Sequence, residues 1–578
     1  MLLNRTNFIF FLFSIFFGNC VFAQNEPLYL KNQTYTYSEL IDEYHVLAGK
    51  SKLVQIAEVG NADVGKPIHI VVIAKDGDNT PEPARASGKS ILLINNGIHP
   101  GEACGIDASV ELSKALLNPN NELHKALDSI VVLIIPVYNV GGMLNRSSYS
   151  RANQNGPKEY GFRGNARNLD LNRDFIKVDS KNAKTFTQLF HLWDPDIFID
   201  THTTNGSDHQ YTLTLIATQK DKQNPVLSEF AQNTMVPAFY KEMKKRDMDM
   251  IPYVYGIASS PDKGIKDFME TPRYSSGYAS LFDCFSFITE AHVFKPFAQR
   301  VQHTLGFLET AVMYTATNSS AIQQKRKEAK EFTMLQQNFP VHWELDTSKK
   351  SALPFNGYET IRRRSELTGQ TMKFYDQNKP FSAEIDYFNT YKPVVEVKKP
   401  QFYVIPQVYS NVIDRLDWNQ VKYERIKNDT LIEVSIYDIE DYHSPKTPYE
   451  GHFLHTEINV SKKKDSVQFF KGDVMVKTDQ KSNRYIVETL EPQSVDGFFA
   501  WNFFDGILQQ KEWFSDYAFE PKALDILKND PELKEGFEEK KSKDQDFAKD
   551  SWAQLYYIYK KSPYYEKTVS RFPVYRIE

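Results

Sequence analysis

The chain is poor in cysteine, with only Cys20, Cys104 and Cys284 among 578 residues. So few exclude a disulfide scaffold. Cys104 and Cys284 either pair or stay as small buried hydrophobes, and the second is expected. There is no excess of charge of one sign: 69 Lys and Arg stand against 74 Asp and Glu, a net charge of -5. That balance argues against a nucleic-acid binder, which shows a basic face. Beyond one apolar stretch near the N-terminus, no segment is long and apolar enough to cross a membrane. Internal repeats and low-complexity tracts are also missing. So are a Gly-x-Ser-x-Gly elbow and a His-Glu-x-x-His helix, which removes two common hydrolase types. Gly60-x-x-x-x-Gly65-Lys66 imitates a phosphate loop, but Pro67 stands where a Ser or Thr would bind magnesium.

What is present begins with an export signal. Arg5 supplies the positive start, Phe8 to Phe17 is an apolar run of signal-peptide length, and Val21-Phe22-Ala23 ends it. Residues 1–23 are expected to be removed and the protein to be secreted or periplasmic. With 41% hydrophobic residues the remaining chain can fill two or three domains.

From Leu53 to Leu305, strand-length apolar runs alternate with helical patterns. The runs are Ile70–Ala74, Ile91–Ile94, Ile130–Ile135 and Ile197–Ile199. The helical stretches Ile106–Leu117, Ala183–Trp193 and Phe297–Tyr314 carry apolar residues three and four apart. Continuous apolar strands are buried on both faces, so residues 24–316 are expected as an α/β domain: a mixed, mostly parallel sheet with helices on both faces. Residues 317–338 turn polar and are expected as a linker or connecting helix. Residues 339–504 carry short β runs at Val394–Val397, Phe402–Ile405, Leu431–Val434 and Tyr485–Val487, which predict a β-rich, sandwich-like domain. Residues 505–578 read as helical, with a densely charged, solvated stretch from Asp530 to Asp550.

Four clusters carry chemistry. His99-Pro-Gly-Glu102 follows the strand ending at Ile94, where ligands of an α/β sheet bind. One imidazole and one carboxylate from such a turn can reach a single cation. His202 follows the strand Ile197–Ile199 and completes a two-His, one-Glu set with a position open for water, the pattern of a catalytic metal rather than a structural one. His209 competes for that place but lies deeper in the following loop. Asn172-Arg173, in the stretch Gly164–Phe175, can address a carboxylate through the planar guanidinium fork. Glu290 ends the strand Phe285–Thr289, where a carboxylate beside a metal can act as general base.

His99-x-x-Glu102, Asp170-Leu-Asn172-Arg173, His202 and Glu290, in this order, resemble the M14 zinc carboxypeptidases over Tyr37 to Tyr314. The resemblance implies a zinc-dependent hydrolase that cuts the C-terminal peptide bond of peptides with a zinc-activated water and a glutamate base. One zinc per chain would sit on His99, Glu102 and His202. Glu290 would be the base, and Asn172 and Arg173 would hold the terminal carboxylate. Asp170 would orient His99 from behind. Arg163 is the first choice for stabilising the oxyanion, ahead of Arg151 and Arg167. Tyr274 and Tyr278 compete for the tyrosine that precedes the glutamate. Asp174 departs from the pattern, which has a neutral residue there, and its charge beside Arg173 is expected to weaken carboxylate binding. A cell-wall muropeptide substrate for the same centre is the alternative, and an inactive peptide- or glycan-binding protein a more distant one.

Overall fold

The apolar runs fold as strands because β-branched and leucine side chains fill both faces of a covered sheet. The computed structural model describes residues 26–578; the expected signal segment lies outside them. Strands β1 (Val54–Asn61), β2 (Pro67–Ile73), β3 (Ser90–Asn95), β4 (Ile130–Ile135), β5 (Ile197–Thr204), β6 (Leu213–Ala217) and β7 (Met250–Pro252) come first. Two short strands follow, β8 (Tyr255–Gly256) and β9 (Ile265–Lys266), and then β10 (Phe285–His292). Eight of them build one sheet in the order β1-β2-β4-β3-β5-β10-β6-β7. Its centre, β4-β3-β5-β10, is parallel, whereas β1-β2, β2-β4 and β10-β6 are antiparallel. The sheet is therefore mixed, with the parallel part where the site residues lie. Every residue of β3 and β4 is buried, so both faces are covered. Helices Cys104–Leu117 and Phe297–Thr317 pack together on this sheet, and Lys181–Trp193 packs against β1.

Two glycines let the chain leave β3 toward the site. Gly97 has φ +65°, a left-handed value that a side chain resists. Gly105, in the first turn of helix Cys104–Leu117, lies so close to Thr201 that a Cβ would stand 1.9 Å from its hydroxyl. The small residue lets this helix seat directly on β5. Cys104 and Cys284 are buried and unpaired, as expected.

The C-terminal half is β-rich with a helical end, as expected, but its strands are grouped differently from a sandwich-like domain. Of the two alternatives for residues 317–338, linker or connecting helix, the structure has the helix, Ser319–Leu335, and Arg326 on it is buried against Asp194 and Asp196 at 2.8 and 2.9 Å. Strands β11 (Asn338–Leu345), β12 (Ser351–Arg364), β13 (Thr371–Phe388), β14 (Tyr391–Lys398) and β15 (Phe402–Ile405) follow. Then come β16 (Glu424–Arg425), β17 (Thr430–His443), β18 (Thr456–Phe469), β19 (Val474–Lys477) and β20 (Tyr575–Ile577). They do not make a separate sandwich. The long hairpin β12-β13 joins β9 and β8 of the first half in one sheet. A six-stranded antiparallel sheet, β16-β19-β15-β20-β17-β18, carries six more, and β11 and β14 pair as a two-stranded antiparallel sheet. A single buried cluster runs from Leu40 through Ile199 to Tyr485 and Trp501, so the two halves share a core. Tyr485–Val487 lies in a helix, Asn483–Leu490, and not in a strand: a short, wholly buried apolar run does not reveal its own period. The helical end is present from Asp516 to Lys560, packed as its own small cluster, but the chain then returns to place β20 inside the six-stranded sheet. Among the described residues no helix is long and apolar enough to cross a membrane.

One buried acid in this framework makes stability depend on pH. Asp107, on helix Cys104–Leu117, accepts from the Thr34 hydroxyl at 2.5 Å and is 1% exposed. Burial pushes its carboxyl up to about 8. The folded value thus lies above the unfolded one. The folded state keeps a proton that the unfolded chain gives up near pH 4, so stability falls as pH rises from about 4 to 8 and is level beyond. Asp107→Asn keeps an acceptor for Thr34 without a charge. It is expected to stabilise the protein by about 2 kcal/mol at pH 7.5 and by little at pH 4.5, read from denaturant midpoints at the two pH values.

Candidate metal centre and cleft

The site is built at the C-terminal ends of parallel strands, where loops diverge and leave a crevice. The loop after β3 brings His99 and Glu102, closed by a turn in which Glu102 N donates to His99 O at 2.7 Å. β5 brings His202, and β10, its parallel neighbour, places Glu290 opposite His202 in the register. A cleft of about 240 Å³ is lined by His99, Glu102, His202, Glu290, Asn172 and Arg173, together with Arg151, Arg163 and Tyr274. A larger cavity of about 780 Å³, lined by His191, Phe282, Asn419 and Lys422 among others, contains none of these residues. The chemistry therefore belongs to the smaller one.

One ligand atom from each of His99, Glu102 and His202 lies within 4.8 Å of the others. His99 Nδ1 is 3.2 Å from Glu102 Oε1, and His202 Nδ1 is 3.1 Å from Glu102 Oε2. Behind each imidazole stands a carboxylate: Nε2–H of His99 donates to Asp170 at 2.8 Å, and Nε2–H of His202 donates to Asp200 at 2.8 Å. Fixing the proton on Nε2 leaves the Nδ1 lone pairs turned toward Glu102, as metal-binding imidazoles require. His99 Nδ1 is buried and has no hydrogen-bond partner. Two oriented imidazoles and one carboxylate suit a divalent cation of the zinc type.

The two cleft carboxylates are driven in opposite directions. Burial works against the charge of Glu102, but His99, Arg151 and His202 beside it hold its carboxyl well below the usual range. Burial pushes Glu290 up to about 8, with Glu102 adding to the rise against His202 and Arg163. His202 is held well above its ordinary value by Asp200 and Glu102, although burial opposes this. Asp170 is likewise buried, yet His99, Arg163 and Arg173 keep it far below the ordinary range.

The remaining expected residues divide. Arg163 lies at the rim, with Nη2 2.8 Å from Asp170 and Nη1 3.4 Å from Glu102. Arg151 reaches Glu102 at 3.0 Å and lines the cleft as well, whereas Arg167 turns away to donate to Asp179 O. Asn172 Oδ1 accepts from Ser275 N, and its Nδ2 lies 3.5 Å from His202 Nε2. Arg173 stacks on Tyr274, its Cζ 4.4 Å from the ring centre. Tyr278 is not in the cleft: it is fully buried among Phe175, Phe186, Phe190 and Phe282, and its hydroxyl donates to Asn419 at 2.6 Å. The helix Ser275–Ser280 starts at the cleft and runs inward, so only Tyr274 at its head stays at the site. Asp174 also points away, bound to Lys177 and Ser180 in the interior, so its charge does not oppose a carboxylate at Arg173. His209 is buried against His292 and does not line the cleft.

Several cleft residues were not foreseen. Asp200 shares a face of β5 with His202, as residues two apart on a strand do, and that spacing could have revealed it. Tyr253, Phe268, Ile216 and Ile288 line the cleft without any motif to announce them. Tyr449 and Glu450 reach it from the C-terminal half: Arg173 Nε donates to Tyr449 Oη at 2.9 Å, and Asp170 N donates to Glu450 at 2.7 Å.

A mixed α/β sheet with a two-His, one-Glu cluster and a free glutamate at its strand ends defines a metallohydrolase. The sequence model of the family described as Zinc carboxypeptidase matches residues 43–370, and the chain belongs to that family. It is a metallocarboxypeptidase, a hydrolase. It is similar to Carboxypeptidase 2 of Trichophyton rubrum, 21% identical over 455 residues that cover 76% of this chain and 78% of that one. Carboxypeptidase 2 of Trichophyton tonsurans is 21% identical over 431 residues, covering 72% and 74%. Among solved structures, a metallo-carboxypeptidase from Pseudomonas aeruginosa aligns with a TM-score of 0.38 and 16% identity, over 50% of this chain and 70% of that one.

Proposed function

We propose that the protein removes the C-terminal residue of peptides in a zinc-dependent hydrolysis. The observation that carries this reading is the meeting, in one cleft, of the His99, Glu102 and His202 ligand atoms with a separate glutamate and a guanidinium. When bound by these three side chains, zinc would supply a Lewis acid and acidify water at neutral pH. Glu290 takes a proton from the attacking water and returns it to the leaving amine; its raised pKa suits both halves of that transfer. Arg163 offers N–H donors to charge developing on the carbonyl oxygen, the kind of contact that is often the largest catalytic contribution. Arg173 and Asn172 hold the substrate's terminal carboxylate, so only the last peptide bond reaches the reacting groups. Asp170 and Asp200 keep both imidazoles in their working tautomer. The N-terminal apolar run supports export of the enzyme to act on extracellular peptides.

The test is peptide hydrolysis followed by mass spectrometry. Free-acid peptides ending in Leu or Phe should lose single residues from the C-terminus. The corresponding amides should react about 100-fold more slowly, since they give up a charge-assisted contact to Arg173. Equal rates for acid and amide, or internal cleavage, would remove the exopeptidase assignment.

A further inference from the structure

The role of the C-terminal half at the cleft is written in one turn. β17 and β18 are joined over residues 444–455, where Tyr449 and His452 pair across a two-residue turn. Both central residues lie at positive φ: Glu450 at +51° and Gly451 at +81°. Such a turn favours Asn-Gly, and a glutamate held left-handed is strained. Strain of this kind persists where the surroundings fix the residue, and here Tyr449 is bound to Arg173 of the proposed carboxylate clamp and Glu450 to the backbone of Asp170, two residues before Asn172. The Glu450 carboxylate accepts from Asp170 N at 2.7 Å. Tyr449 Oη accepts from Arg173 Nε at 2.9 Å.

The turn is itself anchored. The Tyr449 ring stacks on the fully buried Trp501, with centroids 6.2 Å apart and planes 20° apart. The Arg273 guanidinium lies 5.8 Å from the Tyr449 ring centre, tied to Asp496 at 2.8 Å. His452 is bound to Asp179 at 2.7 Å. On the other side, Arg173 Nη1 donates to Asn172 O at 2.8 Å, and Nη2 has no hydrogen-bond partner among the described residues. With Nε taken by Tyr449, the side-on fork of the guanidinium is closed. The end-on pair, Nη1 and Nη2, is what remains for two carboxylate oxygens.

We propose that Tyr449 and Glu450 are positioning residues: the turn between β17 and β18 is a latch by which the C-terminal half aims Arg173 at the substrate's terminal carboxylate. This rests on the reading of Arg173 as the carboxylate clamp. The experiment measures KM and kcat on a free-acid peptide and its amide for the wild-type enzyme, Tyr449→Phe, Glu450→Gly and Arg173→Ala, with zinc content and melting temperature alongside. Tyr449→Phe removes one oxygen and keeps the stack on Trp501. It should raise KM for the free acid about tenfold, the worth of one hydrogen bond to a charged group, with kcat within about twofold. KM for the amide, zinc content and melting temperature should not move. Glu450→Gly suits the left-handed turn while deleting the carboxylate, and should raise KM for the free acid in a protein that still folds.

The latch is overturned if Arg173→Ala raises KM for the free acid but Tyr449→Phe leaves it unchanged. It is also overturned if Tyr449→Phe lowers kcat or zinc content and spares KM. A wild-type enzyme that treats acid and amide alike instead defeats the clamp reading, and the latch with it.

Discussion

Glu290→Gln is expected to lower kcat/KM by about two to four orders of magnitude, the usual worth of a general base, while zinc stays at wild-type stoichiometry. The argument begins with two carboxylates in one cleft whose environments part them. Glu102 is pressed between two imidazoles and Arg151 and stays ionised, the state a ligand needs. Glu290 is buried with its carboxyl pushed up to about 8, so it takes and holds a proton far more readily than Glu102. When neighbouring acids are driven apart in this way, their roles follow: the low one binds charge and the high one exchanges protons. Glutamine has the shape of glutamate and cannot accept the proton, so the loss should fall on kcat. Steady-state kinetics with metal analysis on the same preparation checks this. A variant that kept most of its rate would take Glu290 out of the mechanism; one that lost its metal would make Glu290 part of the binding site.

The candidate metal ligands were legible because each follows an apolar run that reads as a buried strand, and strand ends of a parallel sheet converge. His99 and Glu102 after β3 and His202 on β5 needed no knowledge of the intervening hundred residues beyond that rule. Asn172 and Arg173 were legible as a pair of residue types suited to a carboxylate. Tyr278 was misplaced because spacing alone does not say which way a six-residue helix runs; it runs inward, and its second tyrosine ends among phenylalanines. Tyr449 and Glu450 lie in a turn whose contact with Arg173 and Asp170 depends on how a second sheet packs on the first. No local pattern encodes a partner 276 or 280 residues away. The expected sandwich failed for a related reason. Alternating strands announce β structure but not which edge they join, and β12-β13 found its partner in β9 of the first half.

Loss of the metal should be as severe as loss of the base. Chelation is expected to abolish hydrolysis and one equivalent of zinc per chain to restore it. His202→Ala should bring bound zinc close to zero and cut kcat/KM more than about 10³-fold, several kcal/mol of charge stabilisation being withdrawn at once. The structure says why two ligands will not serve. Glu102 bridges the imidazoles through its two oxygens, one toward each Nδ1, so removing His202 leaves Oε2 with only the Thr203 N–H at 2.8 Å and takes one of the three ligand atoms from the cation. Asp200, buried and deprived of its imidazole, would then be an unpaired acid beneath the cleft. His202→Gln distinguishes the two effects: it can still donate to Asp200 and preserve the fold, but it offers no imidazole to a cation. Zinc binding measured by competition with a chromogenic chelator should therefore fall in both variants, while the melting temperature of the metal-free protein falls mainly in His202→Ala. If His202→Gln bound zinc as tightly as wild type, the three-ligand centre would be wrong.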